Sequence, residues 1–170
     1  MGHPFSISDR LARAAWGCAR LALIRWTPRP MHAWRAWVYR RWGARLGARV
    51  HIYPGAIVWA PWNLECGDDA CIGEGAEVYN VARVTLGRRA VVSQGAFLCS
   101  ASHDYADEAF PLTRAPIELG ERAWVAARAI VLPGVSVGAR TVVGAGSVVT
   151  RSLPADCVCG GNPCRVIKRL

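Results

Sequence analysis

From Leu46 onward, aliphatic residues return at every sixth position. Leu46, Ile52, Val58 and Leu64 form one phase. After a two-residue shift come Cys66, Ile72, Val78 and Val84, and after another Leu86, Val92 and Leu98. The beat then stops, and resumes unbroken through Leu119, Val125, Val131, Val137, Val143 and Val149. Self-similarity of this kind decides the architecture before any single element does. An amphipathic helix repeats every 3.6 residues and a half-buried strand every two, so neither fits.

A period of six predicts an all-β solenoid of triangular section, with one short strand per hexad and three hexads per coil. The aliphatic points inward, and the Gly or Ala that often follows it permits the tight corner. LECG, VTLG and IELG (64–67, 84–87, 117–120) mark coil starts, each after a shift or an insertion. About five coils are expected in a repeat domain of residues 46–154. The ends of such a stack need covers: a leader (1–45) at one and a tail (155–170) at the other.

The leader is patterned differently. Leu11–Trp26 predicts a helix that starts near Ser8–Asp9, where either residue can cap it. TPRP (27–30) breaks it, and Met31–Trp42 predicts a second helix. In that helix Trp34, Trp37 and Val38 share one side, with Arg35, Arg40 and Arg41 mostly elsewhere.

Charge changes the picture only locally. The net charge of +9 would suit nucleic acid, yet residues 1–49 hold ten arginines and one acid, whereas residues 50–170 balance. The excess belongs to the leader, and no nucleic-acid fold accompanies it. Two readings of the leader stand. It lies on an anionic membrane surface through residues 1–42, or it packs on the main domain or a neighbouring subunit with its arginines in solvent. No charge-free run of 18 residues exists to span a bilayer. The arginines inside Leu11–Trp26 also argue against a signal peptide. Seven scattered cysteines without paired CxxC spacing suit reduced thiols in a cytoplasmic protein.

The interruption, LCSASHDYADEAFPLTRAPIELG (98–120), carries the candidate chemistry. Side chains leave the solenoid wall here, and a loop over 104–118 is expected to protrude. Of the four histidines (3, 32, 51 and 103), His103 alone stands at this opening. Histidine is the side chain suited to proton transfer near neutral pH. By position alone His103 reads either as a general base or as a loop-surface histidine.

The hexads, together with AWVAARAIVLPGVSVGARTVVGAGSVVTRSLPADCVCGGNPCRVIKRL (123–170), resemble the hexapeptide-repeat acyltransferases of the galactoside, maltose and serine O-acetyltransferase group. VHIYPGAIVWAPWNLECGDDACIGEGAEVYNVARVTLG (50–87) and SHDYADEAFPL are similar to the colanic-acid type of exopolysaccharide clusters. The resemblance covers nearly the whole chain, including TPRP and HAWRAW. It implies a left-handed parallel β-helix, and a homotrimer with active sites between subunits. It further implies acetyl-CoA as co-substrate without a metal, and direct acetyl transfer to a sugar hydroxyl of a glycan precursor.

The resemblance makes His103 the catalytic base. Ser102 is no nucleophile on that view. Asp104 and Glu108 are near His103 in sequence, but relatives orient the base with either an acidic partner or a backbone carbonyl, so the orienting group is left open. Trp124 matches a tryptophan that walls the site, or else is an outward aromatic at a subunit contact. Ala127 matches a residue whose backbone N–H reaches the thioester. Ala145, Thr150 and Arg151 match the pantetheine and adenine path. Arg165 and Lys168 match basic residues near the nucleotide phosphates, against a solvated basic tail. Asn80 and Asp104 are expected near the acceptor. The apolar pair Phe110–Pro111 would anchor the loop at the subunit interface.

Other functions are weighed against this. A gamma-type carbonic anhydrase shares the solenoid but needs three zinc-bound histidines, and the repeat domain has two. A non-catalytic scaffold, an amino-sugar acceptor and a small-molecule acceptor are the remaining alternatives. A serine acceptor is disfavoured, because serine acetyltransferases carry a much longer helical leader.

Overall fold

The computed structural model describes residues 5–170; His3 lies outside the described residues. Parallel strands of two or three residues stack into three walls of a β-solenoid. The first wall stacks Arg45–Leu46, Leu64–Cys66, Val84–Leu86, Ile117–Leu119 and Ser136–Val137. The second runs from His51–Ile52 to Val142–Val143, and the third from Ile57–Val58 to Val148–Val149. Each wall holds one strand from each of five coils, as the hexads predict. LEC, VTL and IEL stack in register, Cys66 on Leu86 on Leu119.

Two residues of each hexad face the interior, not one. The aliphatics Ile72, Val92, Leu98, Val125 and Val131 are fully buried, and so are the alanines two positions before them, at 70, 90, 96, 123 and 129. Each buried Val or Leu contributes about 1.5–3 kcal/mol, and the alanines leave room for them at the narrow corners. Burial pushes the Cys66 thiol up to about 12, so it stays neutral among its apolar neighbours. All seven cysteines are free.

The glycine after the aliphatic has a different role from the one expected. Gly67, Gly87 and Gly120 are not the left-handed residues; those stand two positions later, at Asp69, Arg89 and Arg122. The glycines instead let one coil touch the next. A Cβ on Gly87 would lie 2.7 Å from the nitrogen of Glu121, and one on Gly120 would lie 2.6 Å from that of Ala139.

The leader forms α1 (Ile7–Leu23) and α2 (His32–Arg41). The first begins four residues earlier than the apolar pattern suggests, because Ser6 caps it by accepting from the Asp9 N–H. Both helices pack on the first coil. Trp16 is buried against Tyr39, with ring centroids 4.9 Å apart, and its indole N–H donates to the Val58 carbonyl at 2.8 Å.

Arg35 overturns the expectation that the leader's arginines lie in solvent. It is fully buried under the cap, and donates to the carbonyls of Ile52, Pro28 and Arg29 and to the Thr27 hydroxyl. The helix face splits accordingly. Val38 points inward, whereas Trp34 and Trp37 are exposed. At the other end Cys157–Gly160 continues the second wall, and Arg165–Arg169 returns antiparallel along it.

Candidate active site

The two-residue shifts and the long interruption fall at one corner, the exit from the third wall. In the second coil Asn80 holds it: the side-chain oxygen accepts from the Ala60 N–H at 2.9 Å, and its amide donates to the Ala60 carbonyl at 2.7 Å. In the third coil Ser100 replaces it, accepting from the Ala82 N–H at 2.9 Å and facing the Tyr79 carbonyl at 3.0 Å. Both side chains are fully buried. Against the expectation that Asn80 touches an acceptor, its side chain is buried and its polar atoms are spent inside the corner.

Above this corner the chain leaves the solenoid as an antiparallel hairpin, Ala101–His103 against Leu112–Arg114. The protruding segment is thus partly strand. Its tip is built from two Asx turns, in which Asp104 accepts from the Ala106 N–H and Asp107 from the Ala109 N–H. Asp104 serves the turn, not the imidazole.

What orients His103 is the backbone. Phe110 sits in the left-handed region with φ 47, which aims its carbonyl at the histidine. The Nδ1 of His103 is 2.9 Å from that oxygen, and the two rings stack 4.4 Å apart at 6°. A carbonyl can only accept, so Nδ1 donates, and in the neutral ring the lone pair then falls on Nε2. That is the tautomer a general base requires.

A second set of candidates lies along the opposite edge of the third wall. Ala127 and Ala145 occupy equivalent corners of the fourth and fifth coils, and the Gly146 N–H donates to the Ala127 carbonyl at 2.9 Å. Among the described residues the backbone N–H groups of Ala127 and Ala145 have no acceptor. They form a short ladder of free donors. Beside them the half-exposed Trp124 donates its indole N–H to the Ser93 hydroxyl at 2.8 Å.

Thr150 and Arg151 follow the third wall in the fifth coil and are exposed. The tail joins there: the Val148 N–H donates to Gly161 and the Cys164 N–H to Val148. Arg165 and Lys168 lie exposed on the return strand. One chain therefore places Ala127 and Ala145 at one edge of the third wall, with Trp124 on the adjoining strand of the second wall. His103 stands at the other edge.

Sequence reasoning missed a groove of about 300 Å³ at the foot of the hairpin, lined by Asp9, Arg13, Trp59, Trp62, Asn63 and Arg114 among others. Arg13 lies over the Trp59 ring at 4.2 Å. Asn63 donates to the Asn80 and Val81 carbonyls at 3.1 and 3.0 Å, which fixes the groove floor. Arg114 pairs with Ala101 two positions below His103, linking groove and hairpin. These residues are far apart in sequence and break no pattern. Only the fold of α1 over the first coil brings them together.

His32 and His51 stack 4.5 Å apart between α2 and the first coil. Among the described residues no group of three His, Cys, Asp or Glu is placed to hold a metal ion.

Comparison with known proteins finds relatives of the same fold. Residues 116–151 match the bacterial transferase hexapeptide (six repeats) family. WcaF of Escherichia coli K12, named as a colanic acid biosynthesis acetyltransferase, is 40% identical over 153 residues, which covers 90% of this chain and 84% of that protein. The galactoside O-acetyltransferase of the same organism is 30% identical over 138 residues, 79% of this chain and 61% of that one. Among solved structures, a hexapeptide-repeat acetyltransferase from Vibrio cholerae O1 biovar eltor complexed with acetyl coenzyme A superposes with a TM-score of 0.88. It is 25% identical, with 100% of this chain and 93% of that chain covered.

Proposed function

The chain belongs to the hexapeptide-repeat acetyltransferases, and from that premise we propose that it moves an acetyl group from acetyl-CoA to a sugar hydroxyl of a glycan precursor. The observation that carries the reading is the His103–Phe110 pair, in which the carbonyl accepts from Nδ1 and so assigns the lone pair of the neutral ring to Nε2.

In the proposed step the Nε2 lone pair takes the proton of the sugar hydroxyl. The oxygen attacks the thioester carbonyl and a tetrahedral oxyanion forms. The backbone N–H of Ala127 is the donor best placed by its free valence to stabilise that charge. As the oxyanion collapses, the carbon–sulfur bond breaks and His103 returns the proton to the departing thiolate. No covalent enzyme intermediate and no metal enter the scheme.

Acetyl-CoA would run along the edge marked by Trp124, Ala127 and Ala145, past Thr150 and Arg151. Arg165 and Lys168 would meet the nucleotide phosphates. The groove of Asp9, Trp59, Trp62, Asn63 and Arg114 is the acceptor site in this reading. Aromatic faces with a few polar groups suit a sugar, whose ring has an apolar face and a rim of hydroxyls.

His103 and Ala127 flank opposite edges of one wall, so a single chain does not bring base and oxyanion donor together. This supports a homotrimer in which the hairpin of one subunit meets the Ala127 edge of its neighbour. The exposed Tyr105 and Phe110 on the hairpin would lie at that contact.

The test is a screen of sugars and sugar nucleotides with acetyl-CoA, reading release of free thiol and the mass of the product. A gain of one acetyl group on a hydroxyl supports the proposal. Acetylation confined to amino groups, or thiol release with no acceptor product, contradicts it.

A further inference from the structure

The outer surface of the leader carries large apolar side chains with nothing packed on them. Trp26 is 80% exposed, Trp37 51% and Trp34 39%, and Leu21 and Leu23 at the end of α1 stand open beside them. The patch is held in shape. Trp34 and Trp37 stack 5.2 Å apart, and the Trp34 indole N–H donates to the Leu23 carbonyl at 2.9 Å. That bond ties α2 to the turn that carries Trp26.

Arginines border the rings. The Arg25 guanidinium lies 5.7 Å from the Trp26 ring centroid, and that of Arg41 lies 5.9 Å from Trp37. Arg29 is exposed between them in sequence. From Arg10 to Leu64 the chain has no acidic residue. Among the described residues Arg25, Arg29 and Arg41 make no ion pair.

We infer that this tryptophan–arginine surface docks the protein on an anionic lipid bilayer, with the indoles at headgroup level and the arginines against lipid phosphates. Indole rings favour the boundary between water and hydrocarbon, and a basic rim is complementary to an anionic leaflet. Attachment would be peripheral, since no helix of the described residues is long and apolar enough to cross a membrane. A second copy is a poor occupant, because two such patches would face each other with charges of one sign and no acid between them. Nucleic acid would satisfy the arginines but would press Leu21 and Leu23 against a polyanion. The inference stands on the leader surface and not on the acetyl-transfer reading.

The test uses the full chain, co-sedimented with phosphatidylcholine vesicles with and without phosphatidylglycerol at about one part in three. Binding should be at least about tenfold stronger to the anionic vesicles and should weaken as salt rises. A Trp26→Ser/Trp37→Ser variant keeps Trp34 and its bond to Leu23. It should lose about tenfold or more in vesicle binding, as should Arg25→Glu/Arg41→Glu. Both variants should keep the parent's melting temperature and its acetyl transfer to a soluble acceptor, which separates this result from the enzymatic one. No binding to anionic vesicles at low salt, equal binding to neutral ones, or unchanged binding by both variants would overturn the inference. So would RNA binding or self-association that the variants abolish in place of vesicle binding.

Discussion

The Nδ1 atom of His103 faces the carbonyl oxygen of Phe110 at 2.9 Å, across a hairpin whose tip turns back under the imidazole. The partner is a backbone group, so the residue that orients the histidine is chosen for its φ of 47 as much as for its ring. Glycine adopts that conformation freely, and a β-branched residue resists it. Phe110→Gly should therefore keep kcat within about tenfold of the parent, whereas Phe110→Val should lose more, as backbone strain moves the carbonyl. Steady-state kinetics on the two variants checks this. An equal loss in both would mean that the stacked ring does the orienting.

The stacked glycines predict a stability contrast. Gly87→Ala and Gly120→Ala put a methyl within 2.7 and 2.6 Å of backbone in the next coil. Each should cost about 1–3 kcal/mol in urea unfolding. Gly17 lies within α1 with nothing near its would-be Cβ. Gly17→Ala should stabilise the chain by about 0.5–1 kcal/mol.

Asn80 separates a structural role from a substrate role. Its replacement by alanine leaves the Ala60 N–H buried without its acceptor, at a cost of about 1–3 kcal/mol. Because the Asn80 amide is buried and fully engaged with Ala60, the KM for the acceptor should stay that of the parent at a temperature where the variant is folded. A raised acceptor KM would restore Asn80 to the binding site.

These residues show what the sequence could and could not reveal. The hexads determine wall, register and coil number, because every solenoid contact is between equivalent positions of neighbouring coils. The break at 98–120 likewise marked where a segment protrudes, since the other two disturbances of the beat are shifts of only two residues. The inward bonds of Asn80 were not legible, because an Asn at a corner looks the same in sequence whether its amide faces solvent or bonds the corner below. Arg35 was misread for a related reason: helix periodicity cannot foresee that four acceptors from Thr27, Pro28, Arg29 and Ile52 converge on one guanidinium. The Asp9–Trp59–Arg114 groove left no local trace at all. It exists only once α1 is laid along the first coil.

The cap should also sense pH. Burial is the main cause that lowers the pKa of His32 from 6.5, with Arg35 and His51 adding to it and the Ile52 carbonyl opposing. A histidine with a depressed folded pKa binds its proton more readily in the unfolded chain. Its contribution to stability is complete above the unfolded value and is lost as pH falls through the folded one. The melting temperature should thus drop as pH is lowered from 7.5 through about 6. His32→Gln should flatten that drop. An identical pH dependence in parent and variant would remove His32 from the account.

The central claim is that His103 is the base for acetyl transfer, and replacing its imidazole tests it most directly. With acetyl-CoA and whichever acceptor the screen identifies, kcat of His103→Ala should fall by about 10²–10⁴-fold. The KM for acetyl-CoA should be unchanged and the melting temperature nearly so, since the side chain is exposed and its contacts with Phe110 are confined to the hairpin. Turnover of the variant within about twofold of the parent would contradict the mechanism.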